Sequence, residues 1–141
     1  MKVTFFNDEL PSADQISPIK NLSLAMVDLE TARNYCLKLP EAEEYDHFGK
    51  PAYRVKKKIF ATLWLDEKRA VLKLSPADQK FYCAEYTFLF PVKGAWGKFG
   101  WTNIDLNKAK ESVFSESLTT AWLNVAPKTM VKKYGLNSPN R

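Results

Sequence analysis

The chain is poor in the side chains that most often carry catalysis or bind metals. Its 141 residues include one histidine and two cysteines, Cys36 and Cys83, which lie far apart in the sequence. A single histidine with no cysteine nearby cannot form a zinc site, and the two cysteines do not form a Cys-x-x-Cys motif. The sequence therefore predicts no metal and no cofactor. We interpret both cysteines as buried thiols of a protein in the reducing cytoplasm.

Long apolar segments and an N-terminal leader are also missing. No apolar run approaches the roughly 20 residues that a membrane-spanning helix needs. Acid appears already at Asp8, which is too early for a signal peptide. These features predict a cytoplasmic protein with no membrane partner, and the length suits one domain with its own core.

Charge is present in abundance but is distributed unevenly. Residues 1–49 carry four basic and nine acidic side chains, whereas residues 50–141 carry seventeen basic and seven acidic ones. The formal net charge is +5. Such asymmetry favours a polyanionic partner, although a solvated surface whose two halves attract each other explains it as well.

Sequence patterns predict an α+β domain at residues 26–134, between an arm at 1–25 that is peripheral or partly disordered and a tail at 135–141. A helix is predicted to begin after the N-cap Asp28 and to end at Pro40. Ser75 and Pro76 form a second strong helix start. The remaining predicted elements are a turn at residues 45–51, an antiparallel meander of strands at 52–55, 59–65 and 70–74, strands at 87–92 and 99–105, and a long helix at about 107–125.

The segment 90–102 holds three of the five glycines and two of the four tryptophans. Trp96 and Trp101 flank Lys98 there, and no residue of the segment is suited to bond-making chemistry. An exposed aromatic ring beside a cation suits stacking on single-stranded bases. In the alternative, which we prefer on the sequence, both rings close the core around a tight glycine turn.

A second basic segment lies at the predicted hairpin tip formed by Lys56, Lys57 and Lys58. Lys50 and Arg54 precede it within nine residues. A hairpin with a basic tip can act as a wing that contacts phosphates, and we expect Arg69 and Lys73 to extend the patch on the sheet. Alternatively, these lysines only solubilise a turn and discourage edge pairing.

The sole histidine, His47, is the remaining candidate for chemistry. As a general base it would need an orienting carboxylate, for which Asp46 or Glu44 is available. A turn-capping role is the simpler interpretation, so we predict that the protein is not an enzyme.

Several motifs in order resemble one known family over about residues 26–134. They are Leu39-Pro40-Glu41-Ala42-Glu43-Glu44, His47-Phe48-Gly49-Lys50-Pro51-Ala52-Tyr53-Arg54-Val55, Lys58-Ile59-Phe60-Ala61-Thr62-Leu63, residues 69–79, Pro91-Val92, Trp96-Gly97, Gly100-Trp101-Thr102, Ala121-Trp122 and residues 125–128. Together they resemble the MmcQ/YjbR-like proteins, which are small bacterial α+β domains. The resemblance implies a CyaY-like fold, in which helices pack on an antiparallel sheet.

The resemblance also implies DNA binding, because that fold is similar to the double-wing DNA-binding domain of a phage transcription factor. We therefore expect a non-enzymatic DNA-binding domain of weak sequence preference, present as a monomer or weak homodimer. The alternative is a protein-interaction or small-ligand-binding module. The candidate DNA-contacting residues are Lys50, Arg54, Lys56, Lys57, Lys58, Lys73, Trp96, Lys98 and Trp101.

Overall fold

The computed structural model of the protein describes residues 27–135. The predicted arm at 1–25, and the predicted tail beyond residue 135, lie outside the described residues. The elements are α1 (Leu29–Lys38), β1 (Glu43–His47), β2 (Lys50–Val55), β3 (Lys58–Trp64), β4 (Arg69–Lys73), α2 (Pro76–Glu85), β5 (Leu89–Pro91), α3 (Ala95–Lys98), β6 (Trp101–Asp105), α4 (Glu111–Val125) and α5 (Lys128–Tyr134).

The strands form one six-stranded sheet in the order β1-β2-β3-β4-β6-β5. Every neighbouring pair is antiparallel. Short connections enforce this arrangement in the first four strands, since a parallel pair would need a crossover of a dozen or more residues. The predicted α+β fold, with helices on an antiparallel sheet, is confirmed.

The core lies on one face of the sheet, beneath α1 and α4. Side chains alternate along a strand, so Leu63 and Leu72 point into this core. The long helix α4 contributes Phe114 and Trp122, both fully buried. Both cysteines are free, and Cys36 of α1 is buried there as predicted, but Cys83 of α2 is only partly buried. Burying such large side chains, at about 1.5–3 kcal/mol each, supplies the main force that holds the helices on the sheet.

The structure corrects several sequence-based boundaries. Part of the segment predicted as a turn at 45–51 belongs to strand β1, which pairs along its whole length with β2. The helix predicted from about residue 107 begins at Glu111, because the Asp105 carboxylate accepts a hydrogen bond from the Asn107 N–H at 2.9 Å and forms a turn. Helices α3 and α5 were not predicted. Strand β1 forms because it pairs with β2, and its own sequence is too polar to predict a strand.

The glycine-tryptophan segment is anchored from α2 and leaves no room for a side chain at Gly97 or Gly100. The Gln79 amide donates to the Gly97 carbonyl at 3.0 Å and to the Trp101 carbonyl at 3.1 Å. A Cβ atom at Gly97 would lie 1.9 Å from the Val92 carbonyl oxygen, and one at Gly100 would lie 1.9 Å from that of Leu74. These glycines therefore permit close backbone packing that places α3 against the start of β6.

We predict that Gly97→Ala lowers the free energy of unfolding by about 3 kcal/mol, because its methyl group would overlap backbone that cannot move aside easily. The neighbouring variant Lys98→Ala, which changes an exposed side chain of the same short helix, should stay within about 0.5 kcal/mol. Urea unfolding of both variants measures the difference. Equal stabilities would contradict the packing argument.

Candidate functional site

The face of the sheet opposite the core carries four of the nine predicted contact residues, Lys50, Arg54, Lys73 and Trp101. Ala52 and Val71 are buried but lie outside the core cluster, on the face that also carries Tyr45, Thr62 and Asn103. We call this the open face, because α1 and α4 pack on the other side. Antiparallel register places Tyr45 beside Ala52, Thr62 beside Val71, and Val71 beside Asn103.

Cations of the open face lie against aromatic rings of neighbouring strands. The Lys50 Nζ atom is 4.1 Å from the Trp64 ring centroid, and the Arg69 guanidinium carbon is 4.0 Å from the same centroid. The Arg54 guanidinium carbon is 4.2 Å from the Tyr45 ring. Such contacts are worth about 0.5–1 kcal/mol at exposed sites, and they hold long side chains in fixed positions without neutralising their charge.

Polar contacts fix two of these residues further. The Trp64 indole N–H donates to the Thr62 hydroxyl at 3.1 Å. The Arg69 guanidinium donates to the Asn103 side-chain oxygen and pairs with Glu67 at 2.8 Å. The open face is therefore an organised surface rather than a set of independent side chains.

The far end of the open face joins the glycine-tryptophan segment. The Lys73 ammonium lies 6.0 Å from the Trp101 ring and donates to the Phe99 carbonyl at 2.6 Å. Partial burial lowers the pKa of Lys73. The Trp96 ring is 65 % exposed and meets Trp101 edge-on at 6.4 Å.

The preferred sequence interpretation of these two tryptophans is wrong. Trp96 is exposed and Trp101 is only partly buried, so neither ring belongs to the core cluster. The tryptophan that fills the core is Trp122. Because Gln79 and the close packing of the glycines fix this loop, the rings are not needed to close it.

The predicted wing forms the tip between β2 and β3. Lys56 and Lys57 have left-handed backbone, at φ +50° and +67°, and Lys56, Lys57 and Lys58 are all exposed. Lys56 pairs with Glu41 at 3.2 Å, and Arg54 pairs with Glu43 at 3.1 Å. Within residues 27–135, Lys57 and Lys58 have no carboxylate partner within ion-pair distance.

Topology brings most of the predicted residues to one end of the sheet. Arg54, the wing and Lys73 lie where β2 and β4 end and β3 begins, and Trp101 starts β6 beside Lys73. Trp96 and Lys98 lie in α3, directly before β6. Lys50 lies at the opposite end, beside Trp64. The cations are therefore spread along the open face instead of all being clustered at one end.

Sequence reasoning placed Arg69 in the basic patch but missed three other members of the open face, Tyr45, Trp64 and Asn103. The pair Phe48-Gly49 could have revealed Tyr45, because a two-residue hairpin at this point fixes the β1–β2 register and places Tyr45 on the face of Lys50 and Arg54.

His47 does not form a catalytic pair within the described chain. Its ring packs edge-on against Tyr45 at 5.9 Å and Phe48 at 4.7 Å. Neither suggested carboxylate orients it: Asp46 accepts from the Gly49 N–H, and Glu44 is held by other groups. No cluster of three or more metal-ligating side chains occurs among residues 27–135.

On the core side, a charged clamp fixes the edge strand β1 and lines a cleft of about 590 Å³. The Arg33 guanidinium donates to both carboxylate oxygens of Glu44, at 2.8 and 3.1 Å, and the Tyr53 hydroxyl donates to Glu44 at 2.6 Å. The bond from Arg33 is the main cause that lowers the pKa of Glu44, whereas burial raises the pKa of Tyr53. Leu29, Pro51, Leu63 and Leu65 contribute apolar walls to the cleft.

Together these features define a class of small α+β domain, with helices on one sheet face and cations and aromatic rings on the other. A sequence model of the YjbR family matches residues 37–124. The chain therefore belongs to the YjbR family, which confirms the resemblance inferred from its motifs.

A crystal structure with the same fold is that of Deinococcus radiodurans protein DR2400, a DUF419 domain. Its TM-score is 0.64 at 21% sequence identity, over 80% of this chain and 91% of that chain. None of the curated protein sequences compared with the chain shows significant similarity. Within the described residues, every helix is too short or too polar to cross a membrane.

We predict that stability falls in acid partly through Glu44. Its folded pKa is lowered from the ordinary value of 4.5, so the unfolded chain binds more protons as the pH falls through this range. The stabilisation is present above the unfolded pKa and is lost as the pH falls through the folded pKa. In a plot of unfolding free energy against pH, Glu44→Gln should reduce the slope on the acid side. Arg33→Met should do the same, because it removes the main cause of the lowered pKa of Glu44. An unchanged acid slope in both variants would contradict this role.

Proposed function

We propose that the protein is a non-enzymatic DNA-binding domain that contacts phosphates through the open face and the wing. The proposal rests on the contacts between cations and aromatic rings across the open face. Lys50 and Arg69 lie against the Trp64 ring, and Arg54 lies against the Tyr45 ring. A surface of this composition suits a ligand that offers both phosphates and flat bases.

Charge supports a polyanion as the ligand. Arg54 and Lys56 share their charge with Glu43 and Glu41, but both pairs are solvent-exposed, where ion pairs are weak and readily exchanged for a phosphate. Lys57 and Lys58 project from the hairpin tip, and stacking on a ring leaves the charge of Lys50 available. Neutralised phosphates release counterions, which supplies most of the affinity.

The backbone at the wing gives further support. Left-handed positions of a two-residue hairpin favour Asn and Gly, yet the chain carries Lys56 and Lys57 there. Two charged residues at unfavourable positions suggest that their charge matters more than turn stability.

Weak sequence preference follows from the placement of the helices. The long helices α1 and α4 pack on the core side, and Tyr82 ties α2 to Thr120 of α4. None of them is placed beside the open face to enter a major groove. Contacts with phosphates position a protein but do not read bases.

The proposed setting is a bacterial cytoplasm, with the protein as a monomer or weak homodimer. Two free cysteines in the structure fit a reducing compartment. No metal or cofactor is part of the proposal.

The core-side cleft supports a second candidate, small-ligand binding. Its volume of about 590 Å³ lies within the range of ligand sites. If a thermal-shift screen finds a metabolite that stabilises the protein, Leu65→Glu should abolish that shift, because Leu65 lines the cleft and is partly exposed. An unchanged shift would rule the cleft out as its site.

We predict salt-dependent binding of labelled duplex and single-stranded oligonucleotides, with affinity falling steeply between about 50 mM and 200 mM salt. Lys57→Gly should weaken binding and reduce the slope of log affinity against log salt by about one. The same change should raise thermal stability, since glycine accepts the left-handed backbone. Fluorescence anisotropy and thermal unfolding measure the two effects.

Lys108→Ala is the matched control for this experiment. Lys108 is an exposed lysine in the connection from β6 to α4, away from the wing, and its loss should change affinity less than Lys57→Gly does. No binding at low salt, binding that is indifferent to salt, or equal losses in both variants would contradict the proposal.

A further inference from the structure

Phe48 is the most exposed large apolar side chain of the described residues, at 87 %. It occupies the hairpin tip between β1 and β2, followed by Gly49. Its backbone is left-handed, at φ +54°, a conformation that costs a bulky residue about 1–2 kcal/mol. Asn-Gly is the favoured pair for such a turn, so the chain keeps an aromatic ring where folding favours a small polar residue.

The Phe48 ring begins a line of aromatic side chains on the edge strand. It meets the His47 ring at 4.7 Å, and His47 meets Tyr45 at 5.9 Å, both edge-on. Arg54 lies against the Tyr45 ring, and register places Lys50 directly opposite His47. Rings and cations thus alternate from the tip of the hairpin along one border of the open face.

We propose that Phe48 is a base-stacking residue that receives an unpaired base of single-stranded DNA, while Lys50, and Arg54 farther along β2, contact phosphates on one side of that base. This inference rests on the proposed function and deepens it, because it names the form of nucleic acid that the surface prefers. Every base offers a flat face to a ring, so such stacking adds affinity without sequence preference. In a duplex the bases are paired and stacked on each other, and exposing one to Phe48 costs a few kcal/mol.

Substitution by Asn separates this role from a structural one. Phe48→Asn removes the ring and supplies a residue that tolerates the left-handed turn, so the melting temperature should rise by roughly 4 °C. Affinity for a labelled single-stranded oligonucleotide should fall by about 5- to 150-fold, the range for the loss of one stacked base. Phe48→Trp should retain the affinity, and its added indole fluorescence should be quenched on binding.

Phe81→Ala is the control, because it removes another partly exposed phenylalanine from α2 and should leave single-strand affinity unchanged. Wild-type affinity in Phe48→Asn, while the protein still binds DNA, would overturn the stacking role and leave the proposed function standing. A lower melting temperature in Phe48→Asn would overturn the argument from strain. Absence of any binding by the wild type would overturn both proposals.

Discussion

Cationic side chains that lie against aromatic rings hold the open face together, and the candidate function depends on this constraint. Within residues 27–135, the long helices α1 and α4 pack on the core side of the sheet, and the opposite face carries the cations and rings. Lys50 and Arg69 meet at the Trp64 ring from neighbouring strands. These contacts hold the cations in place; Arg69 and Arg54 also pair with Glu67 and Glu43, whereas Lys50 has no carboxylate partner within ion-pair distance among residues 27–135.

The two faces of the sheet are coupled at the edge strand β1. Glu44 points to the core side, where Arg33 and Tyr53 hold it, while its neighbour Tyr45 points to the open face. Because adjacent side chains of a strand point in opposite directions, the clamp on Glu44 fixes the position of the Tyr45 ring. The buried face therefore determines the arrangement of groups on the exposed one.

Sequence patterns predicted the architecture well where the local pattern was strong. The Ser75-Pro76 helix start and the alternating apolar strands β3 and β4 are examples, since capping and burial act locally. Strand β1 could not be predicted, because its polar sequence becomes a strand only through pairing with β2.

The candidate site was predictable only in part for a related reason. The basic side chains Lys50, Arg54 and Lys73 and the wing could be identified from their charge. Their aromatic partners Tyr45 and Trp64 could not, because they are brought beside the cations by the register of strand pairing, which sequence spacing does not determine. Trp96 shows the same limit, because its glycine-rich sequence favours a ring that closes the core, yet the ring is exposed beside Trp101. Helical periodicity does predict the burial of Trp122, whereas no such periodicity exists around Trp96.

The most direct measurement follows the indole N–H signals of the four tryptophans by NMR during titration with a single-stranded oligonucleotide at low salt. We expect shifts for Trp64, Trp96 and Trp101, which lie on or beside the open face. Trp122 should not shift, since it is fully buried and its indole N–H donates to the Pro40 carbonyl at 3.0 Å. Four unchanged signals, or a shift confined to Trp122, would contradict the claim that the open face binds DNA.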